Sequence, residues 1–113
     1  MSHFSRLPEF EKEFKRLSKK YRTLEDDLEK FKKVLQSFPT GTGRNFTIVH
    51  SGKNLKVVKA RMACQALRER SLRVIYAYFE QEQKIEFIEV YYKGNKENED
   101  RSRMTQYVKK YQP

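Results

Sequence analysis

The chain has 113 residues, with 25 Lys and Arg against 15 Asp and Glu and a formal charge of +10. That length fits one domain over residues 1–113, and a hydrophobic fraction of 37% with 13% aromatics excludes wholesale disorder. A single cysteine, Cys64, excludes an internal disulfide, and no apolar run has the length of a signal core or membrane span; the expectation is a soluble, unprocessed cytoplasmic protein with no membrane partner.

From Pro8 to Tyr21 the apolar residues Phe10, Phe14, Leu17 and Tyr21 recur at helical spacing, with Pro8 suited to a first turn that needs no N–H. Thr23 followed by Asp26 predicts a capping box for a second helix, whose stripe is Leu24, Leu28, Phe31, Leu35 and Phe38. Pro39, Gly41 and Gly43 end it. Beyond them the period changes to that of strands. Phe46 to His50 and Leu55 to Arg61 form a hairpin across Ser51–Asn54, and Leu72 to Phe79 and Ile85 to Tyr92 pair across a second turn at Glu80–Lys84. Met104, Tyr107, Val108 and Tyr111 then mark a last helix, with acidic residues Glu97, Glu99 and Asp100 near its start and Lys109 and Lys110 near its end, as its dipole favours. The expected class is α+β. Two N-terminal helices and a C-terminal one pack on one face of a four-stranded antiparallel sheet, with room for a short extra strand at His3 to Arg6.

A surplus of ten positive charges opposes folding and points to an anionic partner: nucleic acid, an acidic protein or an anionic lipid. The informative basic residues interrupt apolar strands. Arg73 stands in the run Leu72-Arg73-Val74-Ile75-Tyr76, where a guanidinium needs an anionic or hydrogen-bonding partner. The partner is either Glu86 or Glu89 on the next strand, in a structural ion pair, or a ligand on an open sheet face. Lys59 and Arg61 share strand parity and form a candidate phosphate clamp. Lys53 and Lys56 lie in the turn or on the other parity, and edge-strand protection explains them. At the end of the last strand Tyr91, Tyr92 and Lys93 precede Gly94, Asn95 and Lys96, an aromatic and basic mixture suited to stacking a base beside a neutralised phosphate. One of the two tyrosines must face the core by parity.

No metal or other cofactor is expected. His3 and His50 are isolated, and no Cys and His set has ligand spacing. Neither Gly41-Thr42-Gly43 nor Ser51-Gly52-Lys53 belongs to a long phosphate-loop signature, and Cys64 reads as a small buried hydrophobe.

Lys59 to Met62, Leu72-Arg73-Val74-Ile75-Tyr76, Ile88-Glu89-Val90-Tyr91-Tyr92-Lys93 and Lys96-Glu97-Asn98-Glu99-Asp100 together resemble the RelE/ParE superfamily of toxins from toxin–antitoxin pairs. The opening pattern from Phe10 to Tyr21 and Leu24 to Leu28 is similar to that family's helical hairpin, so the resemblance spans nearly the whole chain. It implies a microbial-RNase-like fold and, for RelE-like members, metal-free cleavage of messenger RNA in the ribosomal A site. Arg73 matches the arginine of the family's Arg-x-x-Tyr strand, Lys59 and Arg61 its basic preceding strand, and Tyr92 with Lys93 its strand-end aromatic and basic or histidine pair. These five are the implied catalytic residues, with Tyr91 and Lys96 as RNA-binding neighbours. The chain departs from several members in having no histidine near that strand end, which leaves the acid and base unassigned; Lys59, Lys93 and Glu89 are the candidate bases. The implied partners are messenger RNA, the ribosome and an acidic antitoxin. The alternatives are a ParE-like inhibitor of a protein target such as DNA gyrase, and a catalytically silent RNA-binding relative.

Overall fold

A computed structural model describes residues 3–68 and 70–112. Its elements in chain order are β1 (His3–Arg6), α1 (Pro8–Lys20), α2 (Leu24–Ser37), β2 (Phe46–Ser51), β3 (Leu55–Ala63), a 3-10 turn (Gln65–Leu67), β4 (Ser71–Phe79), β5 (Lys84–Tyr91) and α3 (Arg101–Tyr111). The four long strands follow the predicted order, but the sheet has five strands, β1-β5-β4-β3-β2, and β1 pairs with β5 in parallel. The four-stranded antiparallel expectation is corrected to a mixed sheet. The short strand allowed for at His3 to Arg6 forms, and its parallel pairing is the part that no local turn announces. It docks because Phe4 stacks on Phe87 at 5.9 Å and Leu7 donates its N–H to the Phe87 carbonyl.

The helices also divide between the two faces. Phe10, Phe14 and Leu17 of α1 and Leu24, Leu28, Phe31 and Leu35 of α2 pack on Val58, Ala60, Met62, Val74, Tyr76 and Phe87. Burial of each such side chain stabilises the fold by roughly 1.5 to 3 kcal/mol before entropy is counted. The α3 helix lies on the opposite face, where Tyr107 covers Val57, Ile75, Ala77 and Ile88. Its few apolar positions cannot show from sequence alone which face they meet. The capping box of α2 is absent as well: Thr23 has helical dihedrals, and its hydroxyl donates to the Asp27 carboxylate at 2.8 Å while accepting from Ala66 N at 3.1 Å. The α3 cap does form, with Asp100 accepting from Arg103 N.

A bulge in β5 matters for everything that follows. Ile75 sits opposite Glu89 and Tyr76 opposite Phe87, so Ile88 is the extra residue and the parity of the strand changes there. Past Arg6, among the described residues, no strand pairs with the outer edge of β5. There Arg103 of α3 and Glu13 of α1 meet around the strand in a two-pronged ion pair of 3.0 and 2.8 Å, Arg103 also donating to Ile88 O and Glu13 accepting from Val90 N. Two side chains thereby occupy the main-chain groups that a sixth strand would use.

Candidate functional site

Strand β3 runs from apolar to basic on a single face. Leu55 and Val57 lie in the core under α3, while Lys59 and Arg61, at the same parity, lie beyond its reach. In β4 the same face holds Phe79, Ala77 and Ile75 and then Arg73, which is the register partner of Arg61. Two guanidinium side chains therefore sit directly across from one another, a placement that repulsion disfavours. Arg73 donates to Ser71 Oγ at 3.0 Å. The predicted structural alternative, an ion pair from Arg73 to Glu86 or Glu89, does not occur. Glu86 accepts from Tyr107 Oη at 2.6 Å and Ser5 Oγ at 3.0 Å, and Glu89 is ion-paired with Lys96 and accepts from Asp100 N at 2.8 Å. Among the described residues no carboxylate pairs with Arg61, Arg73 or Lys93.

These side chains line one cleft of about 380 Å³, which brings together Lys59, Arg61, Arg73 and Lys93. Three residues that sequence reasoning passed over join them: Arg44 before β2, Arg101 at the start of α3, and Glu99. Glu99 lies 3.4 Å from Lys59 Nζ, with a nearly buried carboxylate. Their signal is faint because loop residues have no strand parity to reveal a shared direction.

Tyr92 faces the other way, as the bulge and strand end require, and its ring packs edge-on to Tyr21 at 6.4 Å. Its hydroxyl accepts from Arg70 Nη1 at 2.7 Å at the mouth of an adjoining recess of about 300 Å³, shared with Arg61, Ser71, Arg73 and Lys93. The structure thus brings all five predicted catalytic residues to two neighbouring concavities. Tyr91 and Lys96 line neither concavity, although Tyr91 is the register partner of Arg73. The Tyr91 ring is buried, with Lys96 Nζ 5.4 Å from its centroid, and so has no open face on which a base could stack. Burial pushes the Tyr91 phenol up, the Lys59 ammonium pulls it back, and Glu99 adds to the rise. Lys96 instead neutralises buried Glu89, which removes Glu89 from the candidate bases at the cleft.

Cys64 is buried in a polar knot with Thr23 and Asp27; burial and then the hydrogen bond to Asp27 push its thiol up, against a thiolate nucleophile. Among the described residues no three His, Cys, Asp or Glu side chains gather as a metal site, and no helix is long and apolar enough to cross a membrane.

No protein-family model and no curated protein matches the chain. Among solved structures it is similar to a chain of the archaeal RelE–RelB complex from Pyrococcus horikoshii OT3, with a TM-score of 0.63 and 16% identity over 82% of this chain and 96% of that one. The likeness is one of fold: this is a RelE-like fold.

Proposed function

We propose that the chain is the toxin of a toxin–antitoxin pair, and that its basic cleft cuts messenger RNA during translation in the cytoplasm without a metal ion. The observation that carries this reading is the facing pair Arg61 and Arg73, held side by side with no carboxylate between them. A sheet retains such a pair at a cost in stability unless an anion completes it, and a phosphate offers the oxygens that two planar forks can grip.

In this reading the ribose 2′-oxygen attacks the adjacent phosphorus and the bond from phosphorus to the 5′-oxygen breaks. The products are a 2′,3′-cyclic phosphate and a 5′-hydroxyl. Arg61 and Arg73 stabilise the extra charge on the phosphorane, with Lys93 beside them. Glu99 takes the 2′ proton, since it is the carboxylate lining the cleft and Lys59 holds it in place. The Tyr92 hydroxyl accepts from Arg70, so its own hydrogen remains available for the departing 5′-oxygen. Glu99 and Tyr92 thereby fill the roles for which the sequence offers no histidine. The antitoxin expected for such a toxin is an acidic, amphipathic protein, drawn to the basic surface by charge and retained by apolar contacts.

The test is to induce the chain in cells and map new 5′-hydroxyl ends on translated and untranslated messages, with Arg73→Ala alongside. Ends confined to translated messages and absent from Arg73→Ala support the reading. Cleavage of untranslated messages would remove the ribosome from it, and intact messages with induced DNA damage would move the chain to inhibition of a protein target.

A further inference from the structure

A second cavity, of about 480 Å³, opens beside the basic cleft between α2 and the end of β3. The last residue of the β2–β3 ladder is Phe46, opposite Ala60, and Arg61 N still donates to Asn45 O. Past that point, among the described residues, no strand pairs with β3 on this side. Phe31 and Phe46 stand parallel here, 6.0 Å apart, and with Met62 make the wall largely apolar. Phe46 is only partly buried, and its other surroundings are fixed by Gly41, whose positive φ of 77° and missing Cβ let the loop lie against the ring.

Two features set this cavity apart from an ordinary gap under a helix. Arg61 and Asn45 line both it and the basic cleft, so the two spaces adjoin at the end of β3. Polar residues also line it: Asn45 and Gln65, which carry amides, and Lys30 and Arg68, which carry positive charge. The one acid there, Asp27, is already engaged by Thr23 and by Gln65 N. An apolar wall lined also by amide-bearing and cationic residues matches a heterocycle with a phosphate beside it.

We infer that this cavity is a nucleobase subsite, which receives one unstacked base of single-stranded RNA while Arg61 holds the adjoining phosphate. The inference rests on the reading of the basic cleft as an RNA site. The base lies against Phe46 and Met62, and Asn45 and Gln65 offer donors and acceptors to its edge. Selection among bases then comes from those amides, and the cleft supplies attraction common to every sequence.

The experiment uses short single-stranded RNA, with 4-thiouridine placed at each position in turn for photo-crosslinking to the wild-type chain, and with an abasic nucleotide at the same positions for binding by fluorescence anisotropy. At one position the crosslink is expected on the peptides holding Phe46, Met62 or Gln65, and the abasic nucleotide there should weaken binding roughly ten- to a hundredfold, as loss of a stacked base does. Val34→Glu puts a carboxylate at the mouth on an exposed position of α2, and should erase the difference between intact and abasic RNA. Arg73→Ala should weaken both RNAs equally. Crosslinks confined to the cleft and Tyr92, with no abasic effect, overturn the subsite and leave the phosphate reading intact. Absence of RNA binding by the wild type overturns both. A Val34→Glu variant that loses an acidic protein partner while binding both RNAs as wild type does would assign the cavity to that partner instead.

Discussion

The face of the sheet opposite α1 and α2 has two halves that share strands and differ in every other respect. In the covered half, Val57, Ile75 and Ala77 lie under α3, and the polar group buried with them, Glu86, receives hydroxyl donors from both Tyr107 and Ser5. In the open half, Arg61 and Arg73 face each other and their charge goes unanswered. One half is complete within the chain, and the other, on the proposed reading, is completed by a bound phosphate. On that reading, stability and function separate along single strands, at the step from Val57 to Lys59 and from Ile75 to Arg73, and substitutions on the two sides should report on different properties.

The largest effect is expected from Arg73→Ala. Loss of a guanidinium that grips the phosphorane should lower message cleavage about a hundred- to a thousandfold, ~3 to 4 kcal/mol, with a melting temperature no lower than that of wild type, since repulsion from Arg61 is relieved. A melting temperature that falls with activity would erase the contrast, because Arg73 would then belong to the covered half.

Tyr107→Phe makes the opposite cut. Removing the hydroxyl leaves Glu86 with one donor in place of two, which should cost about 1 to 3 kcal/mol of stability in denaturant titrations and leave cleavage untouched. The same residue gives a pH test. Burial and then the bond to Glu86 push the Tyr107 phenol up, so above the ordinary phenol value near 10 the unfolded chain releases a proton that the folded chain keeps. Stability conferred by the raised phenol is therefore full below pH ~10 and falls as pH rises beyond it, more steeply in wild type than in Tyr107→Phe.

Smaller changes sharpen the boundary of the open half. Arg101→Ala should weaken RNA binding uniformly across sequences and reduce the slope of log affinity against log salt by about 1, as removal of one phosphate contact does. Lys53→Ala, exposed in the β2–β3 turn, should leave stability within about 0.5 kcal/mol of wild type and cleavage unaffected. A Lys53 effect as large as that of Arg101 would mean that diffuse charge, not the cleft, holds the RNA.

The sequence made the four long strands and three helices legible because each carries its own period, and it made the shared face of Lys59 and Arg61 legible through strand parity. Arg73 could be singled out because a charge in an apolar run is conspicuous wherever the run lies. What escaped depends on neighbours. The strand at His3 to Arg6 was legible but its parallel pairing was not, since that depends on Phe87 far along the chain, and the side chosen by α3 depends on Tyr107 finding Glu86. Parity failed at Ile88, where one inserted residue turns the following positions and leaves Tyr91 inside with Tyr92 at the recess. Arg44, Arg70, Glu99 and Arg101 lie outside the strands, and only the assembled fold gives them a common direction.

The Glu13–Arg103 clasp has a consequence for the chain in concentrated solution. Where β1 stops, β5 would otherwise present free main-chain groups to any passing molecule, the template from which fibres and exchanged dimers grow. Here Ile88 O and Val90 N are already taken by a charged pair drawn from two different helices. An incoming strand would have to displace both side chains and strand their charges against the sheet, so the pair acts as a guard against self-association through this edge.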